Sequence, residues 1–229
     1  MIFTYSKTGI FHKEQKLDSQ DIVYCTETNR FIMLCQADGV SMCKNGRKGA
    51  QISCFEAASI LSGNEEAFFN FSKRKTAYLV LEQVVYKINR EAKKDGNLPE
   101  SYASTLMFCC IDKQLQQALL FHLGDGAIYY ISDGKCSYLI PPSCISSNLC
   151  PQTMTKDAFK AVSVKITKLE KGSTIFMSTD SLLHEMKNKD YGMFIKNKIR
   201  ENDYPVLEKA LEPIPNMDDI SFIAYQTEG

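Results

Sequence analysis

The apolar positions of the chain fall into two kinds of segment. Residues 47–61 and 75–94 carry them at helical spacing, on Ala50, Cys54, Ala57, Ala58 and Leu61 in the first and on Tyr78, Leu81, Val85, Ile88 and Ala92 in the second, where Gly96 and Pro99 end the run. Elsewhere they come in short bursts bounded by turn residues. These bursts predict strands at 2–5, 22–27, 30–36, 104–111, 117–123, 127–132, 135–140, 161–168, 173–178 and 220–225. Three shorter helices are expected at 182–185, 192–201 and 205–211. Residues 141–159, with three prolines, read as a loop that serves as a mobile flap.

The turns set the direction of the strands. Thr28 and Asn29 form a hairpin turn between the second and third strands, and Asp133-Gly134 is a strong two-residue hairpin signal, so neighbouring strands run antiparallel. Yet 106–111 and 118–121 are apolar without interruption, where a half-solvated antiparallel strand alternates. Those strands need cover on both faces. With long amphipathic helices early and further helices late, the pattern predicts an α+β fold: a four-layer α/β/β/α sandwich with two antiparallel sheets inside.

Composition narrows the class. At 229 residues and 44% hydrophobic the chain suits one domain, 1–229, with one substantial core. Its 27 basic and 27 acidic side chains cancel, which argues against nucleic acid or an anionic membrane as partner. Nine cysteines, several inside apolar runs such as Cys35, Cys109 and Cys110, read as buried free thiols in a reducing compartment. They contain no Cys-x-x-Cys pair, and His12, His122 and His184 lie far apart, so a zinc site is not expected. Neither a signal peptide nor an apolar run of membrane-spanning length is present, and a soluble, cytoplasmic protein is expected.

The candidate chemistry sits where apolar strands stop. The runs 31–38, 119–125 and 174–180 end in Asp38, Asp125 and Asp180; Asp218 and Asp219 open the last strand and Asp21 an early one. Any one of them is ordinary, since aspartate is common where strands turn. Gathered in one sandwich, they would repel one another unless a hard cation neutralised them, and oxygen-only ligation selects magnesium or manganese over zinc.

The ordered set Ser19-Gln20-Asp21, Ala37-Asp38-Gly39-Val40, Ser104-Thr105, Leu123-Gly124-Asp125-Gly126, Ser178-Thr179-Asp180 and Asp218-Asp219-Ile220-Ser221 resembles the metal-dependent protein phosphatases of the type 2C-like family. The likeness runs over nearly the whole chain. The stretch 38–51, with Gly46, Gly49 and Ala50 leading into a helix, looks most like the compact bacterial branch. The resemblance implies a serine/threonine phosphoprotein phosphatase that hydrolyses phosphomonoesters with a water activated by two Mn2+ or Mg2+ ions, and a phosphoprotein substrate with a cognate kinase. It implies Asp38 as the bridge between the ions, Asp180 and Asp218 completing one shell, the Gly39 carbonyl serving the other, Asp21 acting through water, and Asp125 holding a weaker third ion. Asp219 joins this set as an added charge beside the metals.

Several positions depart from the family pattern. Lys16 stands where many members have a phosphate-clamping arginine, and it supplies a point charge instead of a bidentate fork. Lys44, Arg47 and Lys48 are second-rank phosphate candidates. Val40 replaces the histidine that eukaryotic members offer as an acid; His12 is near enough in sequence to reach the site but reads as structural, and His122 reads as core. Gly126 replaces a serine, Asp219 an asparagine, and Ser181 a glycine, the last at a cost of about 1 kcal/mol if its φ is positive. These substitutions support one rival reading, a pseudophosphatase that binds phosphoproteins as a regulatory module. The retention of Asp38, Asp180 and Asp218 speaks against it, since clustered unpaired charges are costly to keep without use. A nuclease using the same ions is disfavoured by the balanced charge.

Overall fold

The computed structural model describes residues 1–143, 152–156 and 158–228. Two five-stranded antiparallel sheets lie inside. One has the order β1-β10-β9-β6-β7 and the other β2-β3-β4-β5-β8. The strands are β1 (Ile2–Lys7), β2 (Ile22–Glu27), β3 (Phe31–Ala37), β4 (Leu106–Asp112), β5 (Gln117–Leu123), β6 (Ala127–Ser132), β7 (Lys135–Ile140), β8 (Ser163–Lys168), β9 (Thr174–Ser178) and β10 (Ile220–Gln226). The helices are α1 (Ile10–Glu14), α2 (Gly46–Leu61), α3 (Glu65–Asn70), α4 (Lys73–Asp95), α5 (Ala158–Ala161), α6 (Asp180–Glu185), α7 (Gly192–Arg200) and α8 (Tyr204–Leu211).

The uninterrupted apolar runs are explained by three stacked layers of core. On β3, Met33, Cys35 and Ala37 face outward and pack with Phe108, Cys110, Leu119 and Phe121 beneath α2 and α4. Their neighbours Ile32 and Leu34 face inward and meet Met107, Cys109, Leu120, Ile175, Met177 and Ile223 between the sheets. Phe176, Phe222 and Tyr129 on the other outer face pack with Leu182, Ile195, Ile199, Leu207 and Leu211 of α6, α7 and α8. A strand with apolar contacts on both faces has no polar side to show, so alternation disappears. The α/β/β/α sandwich is thus present.

Asp133 and Gly134 both adopt positive φ (50° and 69°), as a primed two-residue hairpin turn requires. The link from β2 to β3 is longer than Thr28-Asn29 alone: Arg30 belongs to it, Thr28 N–H donates to the Phe31 carbonyl, and Phe31 N–H donates to Thr28 Oγ1. The buried stripe of α4 is Thr76, Ala77, Val80, Leu81, Val84, Ile88 and Ala92, so Tyr78 and Val85 lie off it. Ser72 caps this helix by accepting from Lys75 N–H, and Gly96 ends it at φ 68°. Helices α1 and α3 carry no periodicity long enough to predict them. Of the expected flap at 141–159, residues 144–151 and 157 lie outside the described residues; 158–161 form α5. No helix among the described residues is long and apolar enough to cross a membrane.

Candidate active site

Strand register gathers the aspartates. Ile22 pairs with Ala37, which sets Asp21 beside Asp38; Gln36 pairs with Met107, which sets Asp38 beside Thr105; Leu106 pairs with Leu123, which sets Thr105 beside Gly124 and leads into Asp125. In the second sheet Phe222 and Ala127 both pair with Ser178, so Asp180, the start of β10 after Asp218-Asp219, and the Asp125-Gly126 link share one end. Asp38 is electrostatically coupled to Asp21, Asp180, Asp218 and Asp125, and Asp180 to Asp125 and Asp218. The structure therefore brings five carboxylates from both sheets to one end of the sandwich, near enough to repel one another.

Hydroxyls hold them in place. Asp38 N–H donates to Thr105 Oγ1 at 2.8 Å, and Thr105 N–H returns a bond to the Asp38 carbonyl at 2.8 Å. Thr179 Oγ1 donates to Asp21 Oδ2 at 3.0 Å and accepts from Ser221 N–H at 3.1 Å. Gln36, fully buried between the sheets, donates to Ser221 Oγ at 2.8 Å and ties the two sheets directly below the cluster. These supporting groups are invisible as site residues in the sequence; only the positions of Thr105 and Thr179, beside the aspartates in the motif order, point to them.

The electrostatics are those of like charges buried close together. Burial, then repulsion from the four neighbouring carboxylates, raises Asp38 well above the usual carboxylate range. Burial pushes Asp21 up to about 7, in spite of hydrogen bonding from Ser221 and Thr179 and with added repulsion from Asp219. Burial, with Asp125 and Asp218 beside it, pushes Asp180 up to about 6. Among the described residues no lysine, arginine or histidine forms an ion pair with any of the five. The contrast is Asp112, another buried carboxylate. Burial opposes its charge, but Arg30 at 2.7 Å and the Leu115 and Gln114 N–H groups hold its pKa below the usual value.

Two enclosed carboxylate oxygens, Asp21 Oδ1 and Asp180 Oδ1, meet no donor. Oxygen atoms left without donors, in a set of like charges containing no sulfur or nitrogen, fit hard divalent cations. The Gly39 backbone is fixed at the same mouth. Its N–H donates to the Gln20 carbonyl, and a Cβ added to it would lie 2.4 Å from the Gly46 carbonyl carbon, so the turn after Asp38 packs directly on the start of α2.

Other expected site residues sit differently. Asp219 is buried and engaged on both oxygens: Oδ1 accepts from Gly9 N–H at 2.7 Å, Oδ2 accepts from Gln20 N–H at 2.5 Å, and His12 Nδ1 lies 2.9 Å from Oδ2. Ligand atoms of His12, Asp218 and Asp219 come within 4.8 Å of one another, yet in this group Asp219 already has its donors. It anchors the segment 9–20 against the start of β10. With its amide nitrogen toward the Gly39 and Val40 carbonyls, Gln20 accepts from His12 Nε2 at 3.2 Å, so both ring nitrogens of His12 face protein partners. His122 is fully buried, with Nε2 2.9 Å from the Gly126 carbonyl.

Lys16 is exposed, adopts φ 57°, and contacts none of the five carboxylates. Arg47 donates to the Ser19 carbonyl, and Lys48 is committed to Asp95, to Glu91 at 3.6 Å and to the face of Tyr102, while Lys44 is exposed. Ser181 lies in the first turn of α6 and is not among the residues with positive φ, so the strain anticipated there is absent. Gly126 has a steric reason. A Cβ there would lie 2.6 Å from both the Ser178 carbonyl oxygen and Met107 Cε.

Comparison with known proteins agrees with the fold. The family model for Protein phosphatase 2C matches residues 8–211. No curated protein sequence matches the chain. Among solved structures, the chain is similar to the serine/threonine phosphatase of S. agalactiae (TM-score 0.72, 14% identity, covering 100% of this chain and 99% of that one). It is also similar to the catalytic domain of the serine threonine protein phosphatase PstP in complex with two manganese ions (0.65, 13%, 100% and 98%) and to RsbX in complex with magnesium (0.67, 14%, 98% and 94%). At these identities the likeness is one of fold.

Proposed function

We propose that this chain, which belongs to the protein phosphatase 2C family, hydrolyses phosphoserine and phosphothreonine esters of proteins with the help of two divalent cations, manganese or magnesium. The observation that carries the reading is the meeting of Asp21, Asp38, Asp125, Asp180 and Asp218 without a neutralising cation from the protein, with Asp21 Oδ1 and Asp180 Oδ1 left open. Asp38 is the residue that would be shared between the ions, since it feels Asp21, Asp180, Asp218 and Asp125 at once. Asp180 and Asp218 would hold one ion, the Gly39 carbonyl and Asp21 the second, and Asp125 a third.

Bound there, the ions supply the positive charge that acidifies a water and neutralises the phosphoryl oxygens. The protein's own part is to hold the carboxylates against their mutual repulsion. Thr179 occupies Asp21 Oδ2 and leaves Oδ1 free, and Thr105 fixes Asp38 through its backbone. His12, held by Asp219 and Gln20, is not available as the acid for the leaving alkoxide. With Val40 beside Gly39, solvent supplies that proton. Lys16 is the candidate phosphate contact on its place in the family pattern alone. The substrate is a phosphoprotein, and a kinase that phosphorylates it completes the pair.

The test is hydrolysis of an aryl phosphate. Activity is expected with added manganese or magnesium and none in excess chelator; full activity in chelator excludes the assignment.

A further inference from the structure

One strongly polar side chain lies between the sheets where its neighbours are apolar. Gln36 follows Ile32 and Leu34 on the inward face of β3, opposite Met107 of β4, and is wholly buried. Its Nε2 donates to Ser221 Oγ on β10 at 2.8 Å, while its Oε1 meets no donor. A buried amide left half satisfied costs stability, and an apolar side chain of the same shape is neutral or better at such a place. Tying the sheets together therefore does not by itself account for this residue.

What Gln36 touches leads to Asp21. Two hydroxyls serve that carboxylate: Thr179 Oγ1 donates to Asp21 Oδ2 at 3.0 Å, and the Ser221 side chain also bonds to it. A hydroxyl has one hydrogen and two lone pairs, so an N–H group behind it takes a lone pair and leaves the hydrogen for a partner in front. Thr179 Oγ1 receives such a bond from the Ser221 N–H at 3.1 Å. Ser221 Oγ receives it from Gln36 Nε2, which can only donate. Thr179 N–H in turn donates to the Ser221 carbonyl at 3.2 Å, so the backbone locks these two residues to each other. The one part of the arrangement held by a side chain alone is the Ser221 hydroxyl, and Gln36 holds it.

We propose that Gln36 is a positioning residue: by fixing the Ser221 hydroxyl it sets the orientation of the Asp21 carboxylate, and with it the affinity for the cation that Asp21 helps to hold. The proposal rests on the two-cation reading above. Without the amide the Ser221 hydroxyl is free to turn away, and Thr179 is left as the one fixed hydroxyl donor to Asp21. Because Asp21 belongs to one of the two cation sites, the effect is confined to that site.

Calorimetric titration of manganese into the unmodified protein, Gln36→Leu, Ser221→Ala and the double variant tests it, with the Tm of each metal-free protein measured alongside. Gln36→Leu is expected to weaken one manganese site by about threefold to tenfold, as the loss of one ordered hydrogen bond does, while the other site is unchanged and the metal-free Tm holds or rises. The double variant is expected to bind no more weakly than Ser221→Ala, because the two residues act in series. Gln36→Met, unbranched like glutamine, carries the same readings where leucine does not pack. Unchanged affinity at both sites in the Gln36 variants overturns the proposal and leaves the two-cation reading standing. Equal weakening of both sites with a lower metal-free Tm overturns it as a general loosening of the fold, and additive losses in the double variant overturn the route through Ser221. No manganese binding by the unmodified protein overturns the two-cation reading and the proposal with it.

Discussion

Asp219→Asn separates an anchor from a metal ligand. Asparagine is the residue the family pattern places there, so a purely comparative view expects the change to be harmless. The structure predicts otherwise. The carboxylate receives Gly9 N–H on one oxygen and Gln20 N–H on the other, and His12 Nδ1 lies 2.9 Å from the second. An amide keeps one acceptor and turns an NH2 group toward a donor, so at least one buried N–H loses its partner whichever way the side chain rotates. Such a loss costs about 1–3 kcal/mol, which for a chain of this size lowers Tm by about 2–12 °C. The assay is thermal unfolding in chelator, with manganese affinity measured separately by calorimetry. An anchor predicts a lower Tm of the metal-free protein. A ligand predicts an unchanged or raised Tm, because one repelling charge has gone, together with a collapse of manganese affinity. That second outcome refutes the reasoning.

Two further predictions come from the same geometry and one from the family pattern. Gly126→Ser restores the family residue but drives a Cβ to 2.6 Å from the Ser178 carbonyl oxygen, and because that oxygen is backbone the overpacking is expected to cost about 1–3 kcal/mol by urea unfolding; an unchanged midpoint contradicts it. The raised pKa values of Asp21 and Asp180 mean that, between about 4 and about 7, the metal-free folded protein holds protons that the unfolded chain, with aspartates near 3.8, has released. Its Tm therefore falls as pH rises through that window, and the Tm gain from manganese grows; a flat or rising profile without metal argues against the coupled cluster. Lys16→Ala raises KM for a phosphopeptide, with a loss of about tenfold to a hundredfold in kcat/KM if the lysine makes a charge-assisted phosphate contact. Unchanged kinetics remove Lys16 from the site.

Much of the fold was legible because the core is layered. Strands covered on both faces announce themselves as unbroken apolar runs, and Asp133-Gly134 marks a turn that only residues tolerant of positive φ accept. The aspartates were legible for a related reason: each stands where an apolar run stops, and antiparallel register carries such ends to one side. Helices α1 and α3, of five and six residues, are too short for periodicity to emerge. They are held by tertiary contacts instead, α1 by the carbonyls of Asn216 and Met217 and α3 by Phe68 in the core and by Arg30 on Glu66. The stripe of α4 was misplaced because Thr76 and Ala77 are weakly apolar yet buried, while Tyr78 is strongly apolar yet exposed.

The charged residues show where one-dimensional reading ends. Lys48 resembles a phosphate ligand by its place after Asp38-Gly39, but its partners Glu91 and Asp95 lie more than forty residues away on α4. Asp219 resembles a metal ligand by its place beside Asp218, but both its oxygens are taken by the Gly9 and Gln20 N–H groups from the far end of the chain. Ser181 needed a dihedral angle that no sequence prints. For the two charged residues the pairing is non-local, and only the packed chain decides it.

The central claim is that Asp38 holds two cations at once, and calorimetric titration of manganese into the unmodified protein and into Asp38→Asn, alongside aryl phosphate turnover, tests it most directly. The account predicts two tight manganese sites in the unmodified protein, weakened binding of both in the variant, and a loss of turnover of about a thousandfold or more. Two unaltered manganese sites and near-normal turnover in Asp38→Asn would contradict it.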